Sequence, residues 1–259
     1  MAPPAVDPYR QQGWNIRFDW GLPGATAISP GTTAVVVVDV LSFTTSLSVA
    51  IDEGVEVFPF RLRDASAAAF AATRGAVLAI GRREAGDTGV SLSPLSIRNA
   101  ARTGPLAASR KLVLPSPNGS TVSRQLAESG AVVVGACLRN VTAVAAWLGG
   151  AAARGPVAVV AAGERWPGDQ IRPAVEDLWG AGAVVDALVR GGFGSASPEA
   201  AAAAAAYRAL EGEVSAALAD CASGRELTAD GYGSEVAVAA ELDVSGNVPV
   251  LIGEGFRAA

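Results

Sequence analysis

The 259-residue sequence contains no histidine. That absence removes Ser-His-Asp and Cys-His catalysis, phosphohistidine chemistry and every histidine-ligated zinc site. Only two cysteines occur, Cys137 and Cys221, too few for an all-thiolate zinc site or a disulfide framework. No apolar run approaches the ~18 residues that a membrane span needs. The opening MAPPAVDPYRQQGW is polar and proline-rich and lacks the apolar centre of a signal peptide. Charged residues make up 17% of the chain, the net charge is −5 and no basic run occurs, so there is no electrostatic reason to prefer nucleic acid or an anionic membrane. A cytoplasmic protein is the expectation. Acid–base and metal chemistry, if present, must come from Asp and Glu, helped by Lys, Arg, Asn and hydroxyls. Such oxygen ligands suit hard cations, magnesium above all.

What is present is apolar and periodic. Half the residues are hydrophobic, enough for a core that hides about 75% of the unfolded surface. The expectation is one domain over residues 1–259, or two intimately packed halves with no visible linker. Short Val/Ala-rich runs alternate with amphipathic stretches that stop at Gly. TAVVVVD, VEVFPF, AVLAIG, RKLVLPS, AVVVGAC and PVAVVAAG read as strands. Between them lie helices such as TTSLSVAIDEG, RDASAAAFAATRG, TVSRQLAESG and PAVEDLWGAGAVVDALVRGG. Strands without apolar–polar alternation are buried on both faces, so the fold class is α/β with three α/β/α layers. After Gly194, SASPEAAAAAAAYRALEGEVSAALADCASG reads as one helix, with Ser197 as N-cap and Pro198 at the first helical position.

In open α/β sheets ligands sit beyond the carboxyl ends of the strands. Five strand ends deliver polar groups there: Asp39; Arg82, Arg83 and Glu84; Asn118, Ser120 and Thr121; Asn140; and Glu164. Asp39 is the sharpest, because a carboxylate ending the most apolar strand is costly unless something pairs with it. It would serve as a helix N-cap, but Ser42, Thr44 and Thr45 lie nearer the helix start and could cap it themselves. Metal or catalytic use is the preferred reading of Asp39, with the cap as the alternative. SPNGST is a turn signal and equally an arrangement of hydroxyls and amides, with Gly119 at its centre, that suits phosphate. Asn140 reads as cap or ligand, and Glu84 and Glu164 as loop carboxylates. Glu176 and Asp177 stand about 100° apart on one helix, so one of them could face the sheet edge.

These segments resemble one known family. VVVVDVLSFTTS is similar to the DVLRATT signature of the 2-phosphosulfolactate phosphatase (ComB) family. SPNGST, GACLRN and AVEDLWGAG follow as its TTNGT, LLNA and ED…AG elements, and the tail ASGRELTADGYGSEVAVAAELDVSGNVPVL also fits. The resemblance runs from about residue 14 to residue 255 in consistent order. It implies a magnesium-dependent phosphatase of three-layer α/β fold. The implied substrate is a small anionic phosphomonoester, (2R)-2-phospho-3-sulfolactate, on the route to coenzyme M. Two departures touch the substrate site: Ser42 stands where the signature has Arg, and the acid after the third strand is displaced within Gly81-Arg82-Arg83-Glu84. Arg82 or Arg83 would then supply the positive charge.

The mechanism implied has Asp39, with Glu176 or Asp177, holding magnesium. Ser42, Thr44, Thr45, Arg82, Asn118, Gly119, Ser120, Thr121 and Asn140 bind substrate, while Asp39, Glu84 and Glu164 are the catalytic carboxylates. A covalent phosphate on Asp39 is an open alternative. So is a non-catalytic anion-binding protein of the same fold, and oligomerisation is open too. Activity is expected to vanish on exhaustive EDTA treatment and return with magnesium; a rate unchanged by EDTA contradicts an oxygen-ligated hard cation.

Overall fold

A computed structural model of the chain describes residues 7–61, 64–86, 89–127, 130–150, 155–210 and 212–259. Valine dominates the centre of its sheet. Strand β2 (Ala34–Val38) is buried at every position. Val36 and Val38 enter one core cluster, whereas Val35 and Val37 enter another. Successive strand side chains point to opposite faces, so two apolar cores require helices above and below. That is the three-layer α/β/α arrangement expected.

Strand β1 (Ile16–Trp20) precedes β2, and β3 (Glu56–Phe60), β4 (Val77–Leu78), β5 (Lys111–Pro115), β6 (Val132–Ala136) and β7 (Val157–Ala161) follow. A small ribbon is formed by β8 (Glu164–Arg165) and β9 (Ile171–Arg172), and a C-terminal hairpin by β10 (Pro249–Ile252) and β11 (Gly255–Ala258). The main sheet runs β1-β7-β2-β6-β10-β11-β3-β5-β4. Pairings within β1-β7-β2-β6 and within β3-β5-β4 are parallel. The hairpin joins these two parallel sets, antiparallel to β6 at Val250↔Val134 and to β3 at Phe256↔Val57. Its two-residue loop places Gly253 at φ +62°, the left-handed conformation that fits strand twist in tight hairpins.

Helices α1 (Gly21–Ile28), α2 (Phe43–Asp52), α3 (Ala65–Arg74), α4 (Arg82–Ala85), α5 (Pro94–Thr103), α6 (Leu106–Ser109) and α7 (Gly119–Leu126) come from the first half. Then follow α8 (Val141–Gly149), α9 (Val175–Arg190), α10 (Pro198–Arg208), α11 (Val214–Asp220), α12 (Ala222–Ala229) and α13 (Gly233–Ala239). None among the described residues is long and apolar enough to cross a membrane. The small residues of α9 have a packing reason. A Cβ on Gly180 would lie 2.6 Å from Val40, and one on Gly182 would lie 2.1 Å from the Ala203 carbonyl oxygen of α10.

Three expectations change. The single helix anticipated after Ser197 is three helices. Ser197 does cap the first, accepting from the Ala200 amide at 3.1 Å, but Gly212 at φ +92° breaks the run before Val214, a conformation that favours glycine and ends a helix. AVLAIG yields only two strand residues, half-buried at the sheet edge, plus an Ile80↔Ser91 bridge. Strand β1 was not foreseen; its apolar residues Ile16, Phe18 and Trp20 alternate with polar ones, the pattern of a one-sided edge strand. Gln11 protects that edge, its side-chain amide donating to the Phe18 carbonyl at 2.8 Å and accepting from the Phe18 N–H at 3.0 Å.

Phe256 is fully buried in the hairpin and packs edge-on against Phe43 of α2, ring centroids 6.3 Å apart. Phe256→Ala is therefore expected to cost about 3–5 kcal/mol in urea unfolding. A loss under 1 kcal/mol would show that the hairpin is peripheral to the sheet.

Candidate active site

Asp39 follows β2 and is 6% exposed. Both oxygens of its carboxylate grip backbone. Oδ1 accepts from the Phe43 N–H at 3.0 Å, at the start of α2. Oδ2 accepts from the Gly119 N–H at 2.9 Å, at the start of α7. Gly119 is required for this approach, since a Cβ there would lie 2.4 Å from the Phe43 ring and 2.7 Å from Oδ2. The neighbouring hydroxyls fix the backbone. Thr44 Oγ1 accepts from the Asp39 N–H at 2.9 Å and donates to the Asp39 carbonyl at 2.7 Å, and Thr45 Oγ1 donates to the Val40 carbonyl at 2.7 Å.

Asp177, in the first turn of α9, repeats the device. Oδ1 accepts from the Val40 N–H at 2.7 Å and Oδ2 from the Gly163 N–H at 2.9 Å. These donors adjoin Asp39 and Glu164, so Asp177 ties the ends of β2 and β7 together. Glu164 in turn accepts from Asn118 Nδ2 at 3.0 Å, while Asn118 Oδ1 accepts from Arg165 Nε at 3.1 Å. Arg82 sits at the start of α4, where it donates through Nη2 to Ser42 Oγ at 3.0 Å and through Nε to Glu235 Oε2 at 3.0 Å. Asp39, Ser42, Arg82, Glu84, Asn118 and Glu164 line a cleft of about 570 Å³.

The other candidates are engaged elsewhere. Asn140 is fully buried; its Oδ1 accepts from the Cys137 N–H at 2.9 Å and its Nδ2 donates to the Gly135 and Asn247 carbonyls at 3.4 Å. Ser120 donates to the Leu114 carbonyl at 2.8 Å and Thr121 to the Ser116 carbonyl at 3.3 Å. Their oxygens hold backbone, and neither they nor Thr44, Thr45 and Asn140 line the cleft. Glu84 is an exposed rim residue, and so is Arg83, paired with Asp230 at 3.4 Å. Ser223, Tyr232 and Glu235 were not anticipated. They come from the helical tail rather than from a strand end, and so carry no strand-end signal in the sequence.

Four acids share one neighbourhood. Burial pushes Asp39 up to about 6, against the pull of its two amide bonds and with Glu176 adding repulsion. Burial and then the Asp39 charge push Glu164 up to about 7. Asp177 rises well above the usual carboxylate range, through burial and repulsion from Asp39 and Glu176. Glu176 is 2% exposed; with burial, its charge helps push the Cys221 thiol up to about 12. Opposite charge nearby would relieve this repulsion. Among the described residues no three carboxylates or thiols stand close enough to enclose an ion by themselves. Magnesium needs no such cage, since it commonly keeps several waters and takes one or two carboxylates plus substrate phosphate. The donor set, all hard oxygen and excess negative charge, fits that ion.

The family model for 2-phosphosulpholactate phosphatase matches residues 25–254. No curated protein matches the chain.

The raised carboxyls fix the sign of a pH effect. An acid whose folded value stands above its unfolded value stabilises the fold while protonated, and that contribution is lost as pH rises through the folded value. For Asp39 and Glu164 the loss runs from the ordinary carboxylate range up through about 6 and about 7. In metal-free protein, Glu164→Gln is expected to flatten the upper part of the fall in melting temperature between pH 5 and 8. A variant profile parallel to the parent's would contradict the assignment.

Proposed function

Because the chain belongs to the 2-phosphosulpholactate phosphatase family, we propose that it hydrolyses (2R)-2-phospho-3-sulfolactate, or a closely similar anionic phosphomonoester, with the help of one magnesium ion. Membership makes the reaction class phosphoric monoester hydrolysis. The observation that carries the magnesium reading is the meeting of Asp39, Glu164, Glu176 and Asp177 at the ends of β2 and β7, where burial and neighbouring negative charge raise the proton affinity of Asp39, Glu164 and Asp177.

Roles follow from what each oxygen already holds. Asp177 is engaged by two short amide bonds and acts as a clasp. Asp39 gives one lone pair per oxygen to an amide and has a second on each, so it would hold the ion, with buried Glu176, whose charge acts on Asp39, as the second carboxylate. When bound, magnesium supplies positive charge against the phosphate oxygens. The chain does the rest. Glu164, poised at about 7 and aimed by Asn118, takes a proton from the water that attacks phosphorus. Its value near neutrality suits a general base. Asn118 faces the same cleft and orients the phosphate. Asp39, gripping backbone through both oxygens, fits a holding role better than that of a nucleophile.

Asp39→Asn separates this role from capping. Asn keeps one acceptor oxygen but turns an amide N–H towards one of two backbone N–H groups. The cost is about 1–3 kcal/mol, a fall of several degrees in melting temperature for a chain of this size. Turnover should drop on the order of 10²-fold or more. If Asp39 only capped α2, a folded Asn variant would keep near-normal turnover, since Asn caps as well as Asp.

A further inference from the structure

Two separate hydrogen-bonded groups flank Asp39. One joins Asn118, Glu164 and Arg165. The other centres on Arg82, and the helical tail builds it. Arg82 Nε donates to Glu235 Oε2 at 3.0 Å, and Nη2 donates to the Leu92 carbonyl at 2.8 Å and to Ser42 Oγ at 3.0 Å. The guanidinium carbon lies 5.5 Å from the centre of the Tyr232 ring. Nε and Nη2 are thereby engaged, whereas Nη1 has no partner among the described residues. The side chain is 21% exposed and lines the cleft.

On the same cleft stands Ser223, in the first turn of α12. It is 5% exposed, and its hydroxyl has no hydrogen-bond partner among the described residues. Buried hydroxyls are nearly always satisfied, so an orphan in a cleft wall points to a ligand atom. Its place is fixed by Gly224, where a Cβ would fall 1.8 Å from the Leu218 carbonyl oxygen.

We propose that Arg82 and Ser223 form the subsite that recognises an acidic group on the substrate's carbon skeleton, beside the phosphoester, and so set specificity. This rests on the phosphatase reading of the same cleft. Glu235, 5% exposed, neutralises Arg82. What remains is one rigidly held nitrogen and a hydroxyl, a match for a monoanionic carboxylate or sulfonate rather than a phosphate dianion. Holding the guanidinium in place beforehand lowers the ordering cost of binding.

The test compares parent, Arg82→Gln, Arg82→Lys and Ser223→Ala, each checked for an unchanged circular-dichroism spectrum. Turnover with magnesium is measured on p-nitrophenyl phosphate, which lacks a second acid, and on 2-phospho-3-sulfolactate. Independently, calorimetry measures binding of 3-sulfolactate and of lactate, neither of which carries phosphate. Arg82→Gln is expected to lower the kcat/KM ratio of acid-bearing to plain substrate at least tenfold, mainly through KM. It should weaken 3-sulfolactate binding to a similar degree, with Arg82→Lys partly restoring both and Ser223→Ala showing a smaller loss. Retention of the Arg82 effect on lactate marks the carboxylate as the group read, and its absence marks the sulfonate. Equal loss on both phosphate esters would assign Arg82 to the phosphate and overturn the proposal. So would 3-sulfolactate binding that is absent in the parent or indifferent to Arg82. A parent inactive on both esters would sink the phosphatase reading, and the calorimetric arm would still decide the subsite.

Discussion

Two buried carboxylates holding four backbone amides organise this molecule. Asp39 fastens the end of β2 to the starts of α2 and α7, and Asp177 fastens the same strand end to the end of β7. Hydrogen bonds from backbone N–H groups favour the ionised form, while burial and neighbouring charge oppose it. Opposition wins at both residues, which is why their proton affinities rise despite good geometry. The loops that carry Asn118 and Glu164 are placed by those same bonds. Structure and reactivity are therefore one arrangement: the charges cannot be relaxed without releasing the strand ends.

The helical tail and terminal hairpin complete the site from a distance. Two parallel half-sheets would each carry an unsatisfied inner edge, and β10–β11 pairs with both. Phe256 in that hairpin meets Phe43, whose own amide is gripped by Asp39. Just upstream, α12 and α13 supply the wall that holds Arg82. The last quarter of the chain thus links the core of the sheet to the mouth of the cleft.

Local signals carried well from sequence to structure. The valine runs became β2, β6 and β7 because a strand buried on both faces needs no polar alternation, and Ser197-Pro198 opened a helix as its side-chain chemistry requires. Position in the sheet was hidden, since nothing near Val250 says that it pairs with Val134. In the cleft, the strand-end rule located Asp39, Arg82, Asn118 and Glu164. It could not separate them from Thr44, Thr45, Ser120, Thr121 and Asn140, polar residues that also follow strands. A hydroxyl or amide looks identical in sequence whether it meets a ligand or its own backbone. Ser223 and Glu235, on helices, and Tyr232, at the N-cap of α13, lay outside the rule altogether, in a segment whose register against the sheet is set by long-range packing.

The acids around Asp39, whose proton affinity burial and neighbouring charge raise, are proposed to hold a hard cation in their deprotonated form. Magnesium binding should then expel protons, because metal ligands must be deprotonated. Titration calorimetry at pH 6.5 in buffers of different ionisation enthalpy measures that number directly. With Asp39 near 6 and Glu164 near 7, about one proton per ion is expected by linkage. Magnesium binding with no buffer dependence, or no binding at all, would contradict the account.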